Sequence, residues 1–218
     1  MTVFDLYLNN RMRLGYEKRE YPIVRAWTAM ACLNYHRISA NASLVDDARR
    51  HIDWLLSSSC IGYSGPCWGL GFDYAVSADF QYDANTPLTT MTPYVLEAMV
   101  RYEQATNDGR YREAIQGIFA FLENDVPVLE ETESLLITAY STMPDRRVVN
   151  AVSYMMFAYS QCLPWLDKGS ANRARTKIGK LYAFIASEQR ADGSWLYSPE
   201  GNSFIDCFHS CIVLKNLI

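Results

Sequence analysis

Lys180-Leu-Tyr-Ala-Phe-Ile-Ala-Ser-Glu-Gln-Arg-Ala-Asp-Gly-Ser-Trp195 is the stretch on which the fold turns. A helical run ends in the aromatic–aliphatic pair Phe184-Ile185. Gln189, the turn Asp192-Gly193 and Trp195 then follow. Glycine lets a chain leave a helix in a left-handed turn, a Gln amide can tie loose helix-terminal groups, and an indole face can cover the next helix. Two weaker echoes lie upstream. Trp54-Leu55 is followed, after an insertion, by Gly65-Pro66-Cys67-Trp68, and Phe121-Leu122 ends another run without the Gly-x-Trp. The anchors Trp54, Phe121 and Phe184 are 67 and 63 residues apart. A period of that length holds two helices, which describes stacked helical hairpins.

Helical periodicity covers most of the remaining chain. It predicts helices over 21–38 (opening with Pro22), 43–56 (Ser43 as cap, Asp46 and Asp47 in the first turn), 92–106 (Thr92 as cap, then Pro93), 110–124 (after Asp108-Gly109), 148–163, 171–189 and 203–217. In the first, Ile23, Trp27, Met30 and Ala31 form the apolar set. Strand alternation is confined to 135–140. The expected class is all-α, one domain over 1–218.

Composition narrows the function. Half of the 218 residues are hydrophobic and 13% aromatic, which supports a sizeable core. Twenty basic against 24 acidic residues, net charge −4, leave no basic stripe for nucleic acid. No run reaches the roughly 18 apolar residues of a membrane span, and the start lacks a signal-peptide pattern, so a cytoplasmic location is expected. Cys32, Cys60, Cys67, Cys162, Cys207 and Cys211 are scattered through apolar segments and read as buried reduced thiols. Cys60 and Cys67 have no second pair at metal-ligand spacing, so no metal and no cofactor is expected.

Residues 180–195 resemble the QW repeat of squalene-hopene cyclases, with Leu181 departing at the small position. Ser203–Leu214 resembles the helix of protein prenyltransferase β-subunits that presents a zinc-binding His, here His209. Both resemblances imply an α/α toroid whose inner helices point their N-termini at a central cavity. Neither chemistry carries over. The Asp-x-Asp-Asp acid of the cyclases is missing, Asp46-Asp47 being an ordinary first-turn pair. The Asp-Gly-Cys of the prenyltransferases reads Asp192-Gly193-Ser194, and a serine hydroxyl is a poor zinc ligand. A closer resemblance is to toroid proteins of bacterial exopolysaccharide loci. It is carried by Gly65-Pro-Cys-Trp-Gly-Leu-Gly-Phe-Asp-Tyr74, Asn85-Thr-Pro87, Thr92–Ala98, Asn150–Tyr154 and Phe204–Leu214. It implies a part in building a cell-surface polysaccharide.

In a toroid the first turns of the inner helices meet at one mouth. Those turns carry Tyr94 and Glu97, Asn150 and Tyr154, Asp206 and His209, and the first tryptophan loop adds Trp68, Asp73 and Tyr74. Aromatic faces stack on the C–H faces of sugars while fixed polar groups pair with hydroxyls. The expected partner is therefore a saccharide or glycan precursor. Asp73 and Asp206 form the candidate acid–base pair, and His209 is a proton shuttle. Trp68, Tyr74, Tyr94, Glu97, Asn150 and Tyr154 are the expected binding residues. Structural roles compete at each position: Asp206 as a helix-start charge, Glu97 as the i,i+4 partner of Arg101, Asp73 as a loop cap, and Trp68 and Trp195 as packing between hairpins. Two other functions fit the same letters: a non-catalytic scaffold holding polysaccharide-assembly proteins, and an enzyme of isoprenoid or lipid-linked substrates.

At about 65 residues per repeat the chain holds roughly three and a half hairpins, about half of a closed ring. The expectation is an incomplete toroid, either a fragment or a chain completed by self-association, with a further helix over 4–12.

Overall fold

The computed structural model describes residues 19–200 and 203–218; the helix expected over 4–12 lies outside them. The described residues form α1 (Pro22–Ser39), α2 (Ser43–Ser57), α3 (Thr92–Thr106), α4 (Arg112–Asn124), α5 (Val149–Cys162), α6 (Lys168–Ser187) and α7 (Cys207–Leu217). Two small antiparallel hairpins join them: β1 (Tyr74–Ala75) with β2 (Gln81–Tyr82), and β3 (Val128–Glu131) with β4 (Leu136–Thr138). Only β4 coincides with the alternation seen over 135–140. The other strands are too short, or too exposed on both faces, to leave a period-2 pattern.

Each helix starts and stops for a local reason. Pro22 stands in the first turn of α1, and Ala40 ends it in a left-handed conformation, φ 55°. Asn107, φ 53°, does the same for α3. Asp167 caps α6 through the N–H groups of Gly169 (2.8 Å) and Ser170 (3.1 Å), which starts that helix three residues earlier than its apolar pattern predicts. Asp206 caps α7, so Ser203–Ile205 precede the helix rather than open it. Two expected caps are corrected. Ser43 is already helical and its N–H donates to the Asn41 side chain, 3.1 Å. Thr92 is helical too, and its hydroxyl accepts from the Trp68 N–H instead, 3.2 Å.

Tight turns at 40–42, 107–111 and 163–167 fold α1–α2, α3–α4 and α5–α6 into hairpins. The first helix of each packs on the first of the next, so α1, α3, α5 and α7 form an inner layer while α2, α4 and α6 back it. This is an α/α-toroid-like arc. Its long connections, 58–91, 125–148 and 188–206, all run from the end of an outer helix to the start of an inner one. They therefore gather at the N-terminal rim of the inner layer.

The repeat has a physical signature at the outer helices. Trp68 Nε1 donates to Leu55 O (2.8 Å) and Trp195 Nε1 donates to Ile185 O (2.9 Å). The equivalent carbonyl of the middle repeat, Leu122 O, accepts from the Tyr159 hydroxyl, 3.1 Å. Each buried carbonyl near an outer-helix end thus receives a donor carried on a large ring, which satisfies it and fills the gap between hairpins. Gln189 has a different part from the one expected: its amide donates to Gly193 O, 3.1 Å, and closes the turn before Trp195.

The first tryptophan loop is fixed by close backbone approach. A side chain on Gly65 would stand 1.8 Å from Gly117 O, and one on Gly117 would meet Pro66 at 2.8 Å, so two glycines let the loop lie flat on α4. At the α3–α4 turn the buried Glu103 carboxylate accepts from the N–H groups of Gly109 (2.8 Å) and Tyr111 (2.6 Å). Of the inner helices α7 is the least buried. It buries only Val213 and Asn216 and leaves Phe208 and Leu214 half exposed or more. None of the described helices is long and apolar enough to cross a membrane.

Candidate functional site

The inner layer brings Trp27 of α1, Tyr94 and Glu97 of α3, Tyr154 and Phe157 of α5 and Lys215 of α7 onto one concave face. Trp27 and Tyr94 lie 5.5 Å apart between ring centroids, Tyr94 and Tyr154 5.4 Å, and the two tyrosine hydroxyls share a hydrogen bond. Burial raises both phenol pKa values, that of Tyr154 far above the ordinary range, so both hydroxyls keep their protons. Lys215 Nζ lies over Tyr94 (5.5 Å) and Phe157 (4.8 Å) and binds Glu97 at 3.0 Å. Glu97 also takes Arg101 at 2.5 Å, so the expected i,i+4 pair is present within a larger network. Beneath it Asn216 donates to Ser153 Oγ, 3.0 Å, while Asn150 Oδ1 is buried with no donor.

The rim above this face is made by the long connections. Tyr74 of the first hairpin stacks on Tyr82 (6.4 Å), and Tyr82 neighbours Tyr140 (5.8 Å). Tyr197 pairs with Phe204 (4.9 Å) and meets the His209 ring at 4.7 Å. Tyr197 O accepts the first N–H of α5, 3.0 Å, which ties the last loop to the mouth. Burial pushes the Tyr197 phenol up to about 12. Asp206 accepts from the His209 backbone N–H and from its ring Nδ1, both at 2.7 Å. Those two bonds, the backbone one first, hold the Asp206 carboxyl below the ordinary aspartate range. The geometry fixes the imidazole with Nε2 directed away from its carboxylate, which suits proton transfer at that nitrogen.

The sequence-derived candidates divide by burial and contact. Tyr94 is half buried with its ring facing the concave surface, and Glu97 and Tyr154 stand just behind it. Asp206 and His209 form a joined pair at the rim. Asp73 is exposed and accepts the Ala84 N–H, 2.9 Å, which braces the β1–β2 hairpin; no hydrogen bond joins it to Asp206. Tyr74 is exposed beside it. Trp68 is 0% exposed, and its faces are enclosed by core residues, so it offers no platform to a ligand. Asp192 is occupied by Ser194, whose hydroxyl and N–H it accepts at 2.6 and 3.1 Å. The expectation of six buried thiols holds only for Cys67 and Cys162: Cys32 and Cys60 are partly exposed, and Cys207 and Cys211 are exposed, their sulfurs 3.6 Å apart on α7.

Sequence reasoning missed four residues. Trp27, assigned to the core, is 51% exposed. Helical spacing alone could not separate a core-facing ring from one facing a cavity, because both faces of α1 are apolar. Phe157 lay one turn beyond Tyr154, and Lys215 six residues beyond His209, past the helix starts considered. Arg146, over Tyr140 (4.6 Å) and Tyr82 (5.7 Å), sits in a loop with no motif. A groove of about 680 Å³ between Leu33, His36, Arg37, Arg101 and Gln104 lies at the opposite, C-terminal ends of α1 and α3 and has no Trp, Tyr or Phe in its wall.

No protein-family model matches the sequence, and no curated protein matches it. Solved structures do. A GH76 α-mannanase of Bacteroides thetaiotaomicron superposes with TM-score 0.62 at 13% identity, over 93% of this chain and 52% of its own. A glycosyl hydrolase family 88 protein of Bacteroides vulgatus gives 0.61 at 10% identity, over 98% and 69%. A cellobiose 2-epimerase of Bacillus thermoamylovorans gives 0.59 at 14%, over 86% and 50%. The fold is the α/α toroid of these carbohydrate-active enzymes. This chain spans about half the length of the first and third, and about two thirds of the second.

Proposed function

We propose that the chain handles a saccharide at the N-terminal rim of its inner layer, in the building of a cell-surface polysaccharide. The observation that carries this reading is the combination of exposed ring faces with fixed polar groups at one mouth. Trp27, Tyr94 and Tyr74 offer platforms, while Lys215, held in place by Glu97, and the Tyr94 hydroxyl, held by Tyr154, are the fixed polar groups beside them. Three solved structures of the same fold are named as carbohydrate enzymes, which supports the substrate class. In a catalytic version His209, oriented by Asp206, moves the proton, and Asp73 is the second carboxylate across the rim. Asn150 and Tyr154 act behind the surface as positioning residues. Trp68 belongs to the packing.

Intrinsic fluorescence tests the reading, because Trp27 is the ring on the concave face. Titration with neutral and acidic oligosaccharides should change tryptophan emission, and Trp27→Phe should abolish that change with the melting temperature held. No response to any glycan, or a response that survives Trp27→Phe and Tyr94→Ala, contradicts the proposal. A scaffold reading draws on the exposed apolar face of α7; it predicts protein partners and no glycan response.

A further inference from the structure

Among the described residues, Arg146 is a cation with unsatisfied nitrogens. Its Nε and Nη2 are buried and have no hydrogen-bond partner, and no carboxylate among the described residues pairs with it. Its neighbour Asp145 is fully engaged elsewhere. One oxygen accepts from the hydroxyls of Tyr82 and Ser141, and the other from the backbone N–H groups of Tyr140 and Arg146. The guanidinium instead lies flat over Tyr140 (4.6 Å) and near Tyr82 (5.7 Å), with the Tyr197 phenol also close. Contact with the Tyr82, Tyr140 and Tyr197 phenols offsets part of the desolvation of this half-buried charge, but Nε and Nη2 are left without an acceptor.

Arg146 also forms a wall of a cavity of about 250 Å³, shared with Arg147, Tyr197, Ser198, Ser203 and Phe204. Glu200 stands on the same wall, but it pairs with Arg147 (3.4 Å), as does Glu130 (2.9 Å). The volume lies below the roughly 300–1,000 Å³ of drug-sized sites, and so fits one sugar-sized group rather than an extended chain. Its chemistry is specific: a planar cation with two unpartnered nitrogens, hydroxyls of two serines and a tyrosine, and the stacked rings of Tyr197 and Phe204. A guanidinium fork matches a carboxylate in two parallel hydrogen bonds.

We infer that this cavity is a carboxylate subsite, and that the saccharide handled at the rim is an acidic one whose hexuronate carboxylate pairs with Arg146. The inference rests on the saccharide reading above and names its substrate class. The carboxylate would supply the counter-charge that Arg146 lacks, and the serine hydroxyls would meet the ring hydroxyls. Val148 of the cavity wall adjoins Val149, the first residue of α5, so the cavity lies at the N-terminal end of an inner helix.

Calorimetric titration with sodium D-glucuronate and with D-glucose, which differ only at C6, tests it; sodium acetate is the bare-anion probe. The expected result is at least about tenfold tighter binding of glucuronate than of glucose, a preference that weakens as salt rises from about 0.05 to 0.5 M while glucose binding does not. Arg146→Met should erase the preference and keep glucose binding, and Arg146→Lys should restore part of it. Should Arg146→Met fail to fold, the salt dependence of the intact protein decides alone. Equal binding of glucose and glucuronate at every salt overturns the subsite and leaves the saccharide reading standing. Acetate binding that depends on Arg146, with neither sugar bound, overturns the saccharide reading and keeps an anion site. Silence from all three probes overturns both.

Discussion

In the first tryptophan loop Gly65 lies against Gly117, Gly69 against the carbonyls of Ala84 and Thr86, Trp68 against Leu55 O, and Asp73 against the Ala84 N–H. In the second, Trp195 makes the same bond to Ile185 O, but the residues after it are left with open surfaces: Tyr197 and Phe204 face a cavity, and Asp206 and His209 stand at the rim. One device therefore serves two ends. The first loop is 34 residues long, 58–91; its parts around Trp68 and Thr89 are buried between the hairpins, while its middle, 71–81, is largely exposed and carries Asp73 and Tyr74. The second needs only the indole to close its repeat, and the remaining residues are free to meet a ligand. Resemblance between loops reports the packing role they share; the difference between them locates the chemistry.

Perturbing the buried parts of the first loop should therefore cost stability, and perturbing the second loop beyond its indole should cost binding. The largest effect is expected from Trp68→Ala, which removes a fully buried ring and orphans Leu55 O: about 3–5 kcal/mol by denaturant unfolding. Trp68→Phe keeps most of the volume and loses the N–H, for about 1–2 kcal/mol. Next is Gly117→Ala, whose methyl meets the Pro66 ring, at about 1–3 kcal/mol. A Gly117→Ala variant as stable as the parent would mean the loop is not pressed on α4.

A titration sharpens the comparison further. Hydrogen bonds, from Cys67 first and then the Gly69 backbone, lower the Cys60 thiol to about 7, against burial that acts the other way. The thiolate is the reactive form, so Cys60 alkylation should rise with a midpoint near pH 7 and precede that of Cys207 and Cys211 despite their exposure. The folded state thus gains stability from Cys60 as pH rises from about 7 past the ordinary thiol pKa, and loses it as pH falls through 7. The smallest effect is expected at Asp206. Its folded pKa is depressed, so its cap contribution is complete above the ordinary aspartate pKa and is lost as pH falls through the lower folded value. Asp206→Asn should shift melting slightly while impairing any His209-dependent turnover.

How much of this was legible follows from what each residue type reveals. The hairpin period was readable because Trp54, Phe121 and Phe184 mark outer-helix ends. The third tryptophan equivalent, Tyr159, was not, because its hydroxyl comes from an inner helix 37 residues downstream of Leu122. Asp206 and His209 were readable as an i,i+3 pair at a helix start. Trp27 and Lys215 were not, since periodicity identifies a face and not what lies opposite it. Arg146 carries no local signal at all: its environment is assembled from Tyr82, Tyr140 and Tyr197, which three separate connections bring together.

Hydrogen exchange with and without a saturating acidic oligosaccharide tests the central claim most directly. Slower exchange is predicted at 90–97, 140–150 and 195–209, where the rim and the inner-helix starts converge, with no change at 33–37 and 101–105. Protection confined to that opposite groove, or a uniform absence of protection at saturation, would contradict a sugar site at the N-terminal rim.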